Sequence, residues 1–105
     1  LTSESLDDIV VPRMKHWDGK WRLVCYDLPS NKKSERYELT KHLKRMGFFP
    51  LQKSMWVHPY IFLGQLDQIT KTLLITNFVT VLEVTKLDNK SEGILTDKFR
   101  DVLII

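Results

Sequence analysis

A chain of 105 residues, 43% hydrophobic and 28% charged, has the size and composition of one globular domain. No stretch approaches the roughly 18 apolar residues of a membrane span, the opening LTSESLDDIV lacks the basic and apolar runs of a signal peptide, and a lone cysteine, Cys25, excludes an internal disulfide and fits the reducing cytoplasm. The net charge of +3 is uneven, since Lys32 to Lys53 hold seven bases and two acids (+5) while the remainder is −2, a pattern that suits a phosphate-bearing partner but, on charge alone, more often marks a solvated helix face.

Residues 1–18 read as a lead-in, closed by the turn signal Asp18-Gly19. Trp21 to Asp27, WRLVCYD, is rich in β-branched and aromatic residues and predicts a strand. Leu28-Pro29-Ser30-Asn31 ends it and offers Ser or Asn as a helix cap. From Lys32 to Met46 the period is helical. Leu39, Leu43 and Met46 form one stripe, Lys33, Tyr37, Lys41 and Lys44 the opposite face with Arg45 at its edge, and Gly47 stands at the C-cap. Phe48 to Tyr60 predicts two short strands or one kinked strand, because Pro50 prevents an unbroken central one. Gly64 to Asn77 is helical again, with Leu66, Ile69 and Leu73 on one face, and Phe78 to Leu87 is the clearest strand. Asn89 to Gly93 reads as a polar turn, and Ile94 to Ile105 as a short amphipathic tail, helix or strand.

The order β-α-β-β-α-β predicts an α+β, ferredoxin-like sandwich, an antiparallel sheet with two helices on one face. The expected division is a lead-in over 1–18, the domain over 19–90 and a tail over 91–105 that packs on a partner protomer. Leu23, Val24, Cys25 and Tyr26 run together without alternation, which is the mark of a strand covered on both faces. With too few elements to cover the second face, the chain is expected to use a second protomer.

Trp17-Asp18-Gly19-Lys20-Trp21-Arg22, the strand end Tyr26-Asp27-Leu28-Pro29, and Gly47-Phe48 leading to Leu51-Gln52-Lys53-Ser54-Met55-Trp56-Val57 together resemble the central domain of the phenylacetate-repressor (PaaX-type) transcriptional regulators. That domain is in turn similar to the CRISPR-associated Cas-two family. Asp27, Arg36, and the Gln52, Ser54, Trp56 pattern are the matching positions. The resemblance implies a ferredoxin-like homodimer in which Asp27 of each protomer faces its twin, a pair proposed in Cas-two nucleases to hold magnesium. There are two departures. PaaX-type regulators carry an N-terminal winged helix-turn-helix and a further C-terminal region that 105 residues cannot hold, which implies a middle domain or a stand-alone relative. Val57 also stands where many Cas-two sequences have an acid.

Asp27 is therefore the candidate catalytic residue and magnesium ligand, since magnesium takes hard oxygen donors and can activate water for phosphodiester attack. The alternative is that Asp27 caps the turn after its strand. Lys33, Arg36, Tyr37, Lys41, Lys44, Arg45, Lys53 and Ser54 are the candidate nucleic-acid contacts, reading phosphate rather than sequence. Trp17, Trp21 and Trp56 fit core packing or base stacking. His16, His42 and His58 have no metal-ligand spacing, and no small-molecule cofactor motif is present. The reading is a dimeric module of a transcriptional regulator, associated with DNA or RNA. The alternatives are a magnesium-dependent nuclease, or a protein-interaction module that docks partners on an open sheet edge.

Overall fold

The computed structural model describes residues 6–103; positions 1–5 of the expected lead-in and 104–105 of the expected tail lie outside the described residues. The elements run β1 (Trp21–Tyr26), α1 (Lys33–Arg45), β2 (Phe49–Gln52), β3 (Met55–His58), α2 (Leu63–Thr72), β4 (Val79–Val84) and α3 (Asn89–Lys98), with 3₁₀ turns at Ser30–Lys32 and Thr76–Phe78. The sheet order is β2-β3-β1-β4, and every neighbouring pair is antiparallel. This is the ferredoxin-like α+β sandwich.

Alternation along β1 divides the core in two. Val24 and Tyr26 point toward Leu39 and Leu43 of α1 and toward Leu66 and Ile69 of α2, with Trp56 of β3 beside them. Trp21 and Leu23 point the other way, to Val57 and to Leu95 and Phe99 at the C-terminal end. Part of the cover expected from a second protomer is thus supplied by the chain's own α3, over Trp21, Leu23 and Val57. Trp21, Leu23, Val24 and Tyr26 all have intrachain partners, which accounts for most of the missing alternation, while Cys25 stays half-buried.

Three local outcomes differ from the sequence expectation. No side chain from Ser30 or Asn31 caps α1, which is entered through the 3₁₀ turn instead. α2 stops at Thr72 rather than Asn77, because Leu74 adopts φ +59 and the amides of Leu74 and Ile75 bond back to the carbonyls of Lys71 and Thr70. That is a Schellman closure, built without the glycine that usually marks one. The segment Asn89 to Gly93, expected as a turn, is the first half of α3. Asp88 caps it by accepting the Ser91 amide at 3.0 Å, which offsets the roughly 1 kcal/mol that Gly93 costs inside a helix. Of the two outcomes expected for Phe48 to Tyr60 the chain takes two strands, but the break is the turn at Lys53 and Ser54. Pro50 lies within edge strand β2 beside a register shift, where its missing donor is harmless.

His58, at the end of β3, is buried among Phe48, Tyr60, Phe62 and Phe99. Its Nδ1 accepts the Tyr60 amide at 3.0 Å. Burial, aided by nearby Arg22 and partly opposed by a bond to the Met46 backbone, lowers its pKa to about 4. The unfolded imidazole titrates near 6.5, so the unfolded state takes up the proton first as pH falls. The contribution is complete above pH 6.5 and is lost between there and pH 4, for a total of about 3 kcal/mol. Urea unfolding at pH 7 and pH 4.5 should show this loss, and the His58→Gln variant should show a visibly shallower dependence over the same interval.

Candidate functional site

The outer face of α1 carries Lys33, Tyr37, Lys41 and Lys44, which recur at helical spacing opposite Leu39 and Leu43. Tyr37 is 69% exposed. Lys41 holds Glu38 at 3.0 Å, which raises its pKa. Lys33, Lys44 and Lys53 are exposed and make no ion pair among the described residues.

The two arginines among the nucleic-acid candidates, Arg36 and Arg45, are engaged elsewhere. Arg36 donates to the Leu28 carbonyl at 2.9 Å, tying α1 to the chain leaving β1. Arg45 donates to the carbonyls of Leu6 at 2.6 Å and Ile9 at 2.9 Å, and so clamps the lead-in, whose Leu6 is fully buried in the main core. Below it lies His42, also buried, with Nδ1 at 3.3 Å from Arg45 and 3.6 Å from Asp7, and Nε2 at 3.6 Å from Glu38. Burial, reinforced by Arg45 and Lys41, lowers the His42 pKa. No spacing rule in the sequence brings Asp7 to α1; only the burial of Leu6 does so.

Lys53 and Ser54 form the two-residue turn between β2 and β3. Ser54 occupies φ +62 and its carbonyl accepts the Tyr26 amide at 3.1 Å, so its backbone geometry serves the turn. Asp27 follows directly and is exposed, its amide bonded to the Phe78 carbonyl at 3.0 Å. Its carboxylate makes no hydrogen bond among the described residues, so the turn-capping role is not seen. The shallow hollow beside it is lined by Cys25, Tyr26, Phe78 and Thr80, and burial pushes the Cys25 thiol up, away from a metal-binding thiolate. A thiol and a phenyl ring are poor companions for magnesium, and no group of three His, Cys, Asp or Glu side chains gathers anywhere among the described residues. Within one chain these residues do not make a magnesium site.

The eight nucleic-acid candidates therefore do not form a single cluster. Lys53, Ser54 and the start of α1 lie toward the end of the sheet where β1 finishes. Lys44 and Arg45 stand roughly 16 Å further along the helix from Lys33. What the structure assembles is a lysine stripe around one exposed tyrosine.

Residues 14–95 match the family model described as the PaaX protein central Cas2-like domain. No curated protein matches the chain. No helix among the described residues is long and apolar enough to cross a membrane.

The division of labour on α1 is testable by stability. Arg45→Ala should cost about 1–3 kcal/mol in urea unfolding, because it strands two carbonyls and releases the lead-in. Lys44→Ala should stay within about 0.5 kcal/mol of the parent.

Proposed function

Because this chain belongs to the family of PaaX central Cas2-like domains, we propose that it is a cytoplasmic, dimeric module of a PaaX-type transcriptional regulator, which pairs with itself and adds sequence-independent affinity for nucleic acid. The observation that supports self-pairing is the partial cover of the second sheet face. α3 packs over Trp21, Leu23 and Val57. Cys25 and Met55, opposite each other in the register, are only half-buried, while Thr80 is exposed and Leu82 is 43% exposed. An apolar half-face of this kind suits a second copy of the same sheet. Asp27 extends from the end of β1 beside it, where a twofold axis would bring it near its twin.

The lysine stripe on α1 supports the second half of the reading. Ammonium groups without a protein partner release counterions when they meet phosphates, and they read charge rather than sequence. One chain sets Asp27 alone beside a thiol and a phenyl ring, so the nuclease reading would need the twin's carboxylate as well as phosphate and water oxygens.

Light scattering at micromolar concentration should give the mass of a dimer, and Leu82→Arg should give a folded monomer; a monomeric parent protein would overturn the self-pairing proposal. For nucleic acid, the Lys33→Glu, Lys44→Glu double variant should bind duplex DNA at least tenfold more weakly at low salt and show a flatter salt dependence. Equal binding by parent and variant would remove α1 from the interface.

A further inference from the structure

Tyr37 is the one large side chain on the lysine face of α1, and the fold makes no evident use of it. It is 69% exposed. Its ring stacks on no other ring, and its hydroxyl makes no hydrogen bond among the described residues. At 1.5 Å of rise per residue, Lys33 and Lys41 stand about 6 Å to either side of it along the helix axis, and Lys44 about 10 Å beyond. The order along the stripe is thus cation, ring, cation, cation. The Lys41–Glu38 pair, both members partly exposed, opens at small cost.

A duplex offers such a stripe its phosphates and groove edges but no base face, since its bases are stacked on one another. A single strand offers both chemistries at once, with phosphates for ammonium groups and an unpaired base whose face can lie on a phenol ring. We propose that the α1 face is a single-strand platform, on which a base stacks against Tyr37 while Lys33, Lys41 and Lys44 hold the flanking phosphates. This rests on the nucleic-acid reading of the same face and adds to it the class of ligand. Single-stranded DNA or RNA, such as an opened or frayed duplex presents, is bound in preference to paired DNA.

The test is anisotropy of a labelled 20-nucleotide oligothymidine, alone and paired with oligodeoxyadenosine, titrated with the full chain at low salt. The parent protein should prefer the single strand. Tyr37→Ala should lower single-strand affinity by roughly 5- to 100-fold and bring the single-strand to duplex ratio toward one, whereas Tyr37→Phe, which keeps the ring, should preserve the ratio. Circular dichroism of both variants should match the parent. An unchanged ratio in Tyr37→Ala, or a parent that binds both forms equally, overturns the stacking proposal and leaves the charge reading standing. Failure of the parent to bind either form overturns both.

Discussion

The Arg22 guanidinium holds together four parts of the chain that sequence distance keeps apart. It is 4% exposed and lies on the helix-covered face of β1. Nε donates to Glu83 of β4 at 3.1 Å. Nη1 donates to the Pro59 carbonyl, just past β3, at 2.7 Å, to the Lys20 carbonyl, and to Asp18 at 3.0 Å, while Nη2 reaches the second Asp18 oxygen. The partnership holds the Asp18 carboxyl below its usual range and raises the already high pKa of Arg22. A buried charge is tolerated only when its hydrogen-bonding capacity is met, and removing one side of such an arrangement typically costs about 3–5 kcal/mol. Here the register of β1 against both neighbours, Arg22 opposite His58 and Glu83, brings the required acceptors together. The sheet pairing and the ion network therefore depend on each other.

The same turn that delivers Asp18 also begins the second core. Trp17 donates to the Lys20 carbonyl at 2.8 Å and packs on Trp21 at 4.7 Å between ring centroids. The Trp21 indole N–H reaches Glu92 of α3, whose other carboxylate oxygen accepts the Leu87 amide at 2.7 Å. Glu92 thus fixes α3 against the start of β1, and Tyr60, donating to the Val102 carbonyl at 2.7 Å, fixes the chain after it. Both anchors lie toward the Trp21 end of the sheet. The cover they hold stops short of Cys25 and Thr80, so the open half-face follows from where α3 is anchored.

The motif WDGKWR, one of the features that carry the family resemblance, has a physical content: a turn aspartate for a buried arginine, and two tryptophans that start the second core. The four strands and two of the helices were legible because their apolar periods match their burial. Gly47 marked the end of α1, and it takes φ +90 there. The end of α2 was not legible, since Leu74 occupies the equivalent left-handed position at 80% exposure with no glycine to signal it. The first half of α3 reads as a turn because Gly93 ends a polar run, and its second half reads as a tail open to helix or strand; the cap that joins them into one helix is a single residue, Asp88. Of the candidate site, the lysine face was legible and the docking of the lead-in was not, because Leu6 and Arg45 meet across 39 residues with no local pattern.

Counting positive charge along α1 overstated its capacity for phosphate, and the difference between the two basic side chains explains why. A guanidinium is planar, weakly hydrated and carries five donors in a fixed fork, so it satisfies carbonyls inside the protein at modest desolvation cost. An ammonium is compact and strongly hydrated, and it stays in water unless a partner is well placed. Both arginines of α1 accordingly turn to backbone carbonyls, Arg36 to Leu28 and Arg45 to Leu6 and Ile9, whereas Lys33 and Lys44 remain exposed. Of the seven bases between Lys32 and Lys53, only Lys32, Lys33, Lys44 and Lys53 have neither an ion pair nor a carbonyl partner for their side chains among the described residues. The field available to a ligand is therefore a lysine field, loosely held and easily screened. In the proposed complex, charge of that kind would attract nucleic acid without orienting it, and orientation would fall to the one rigid, flat group set among the lysines, the ring of Tyr37.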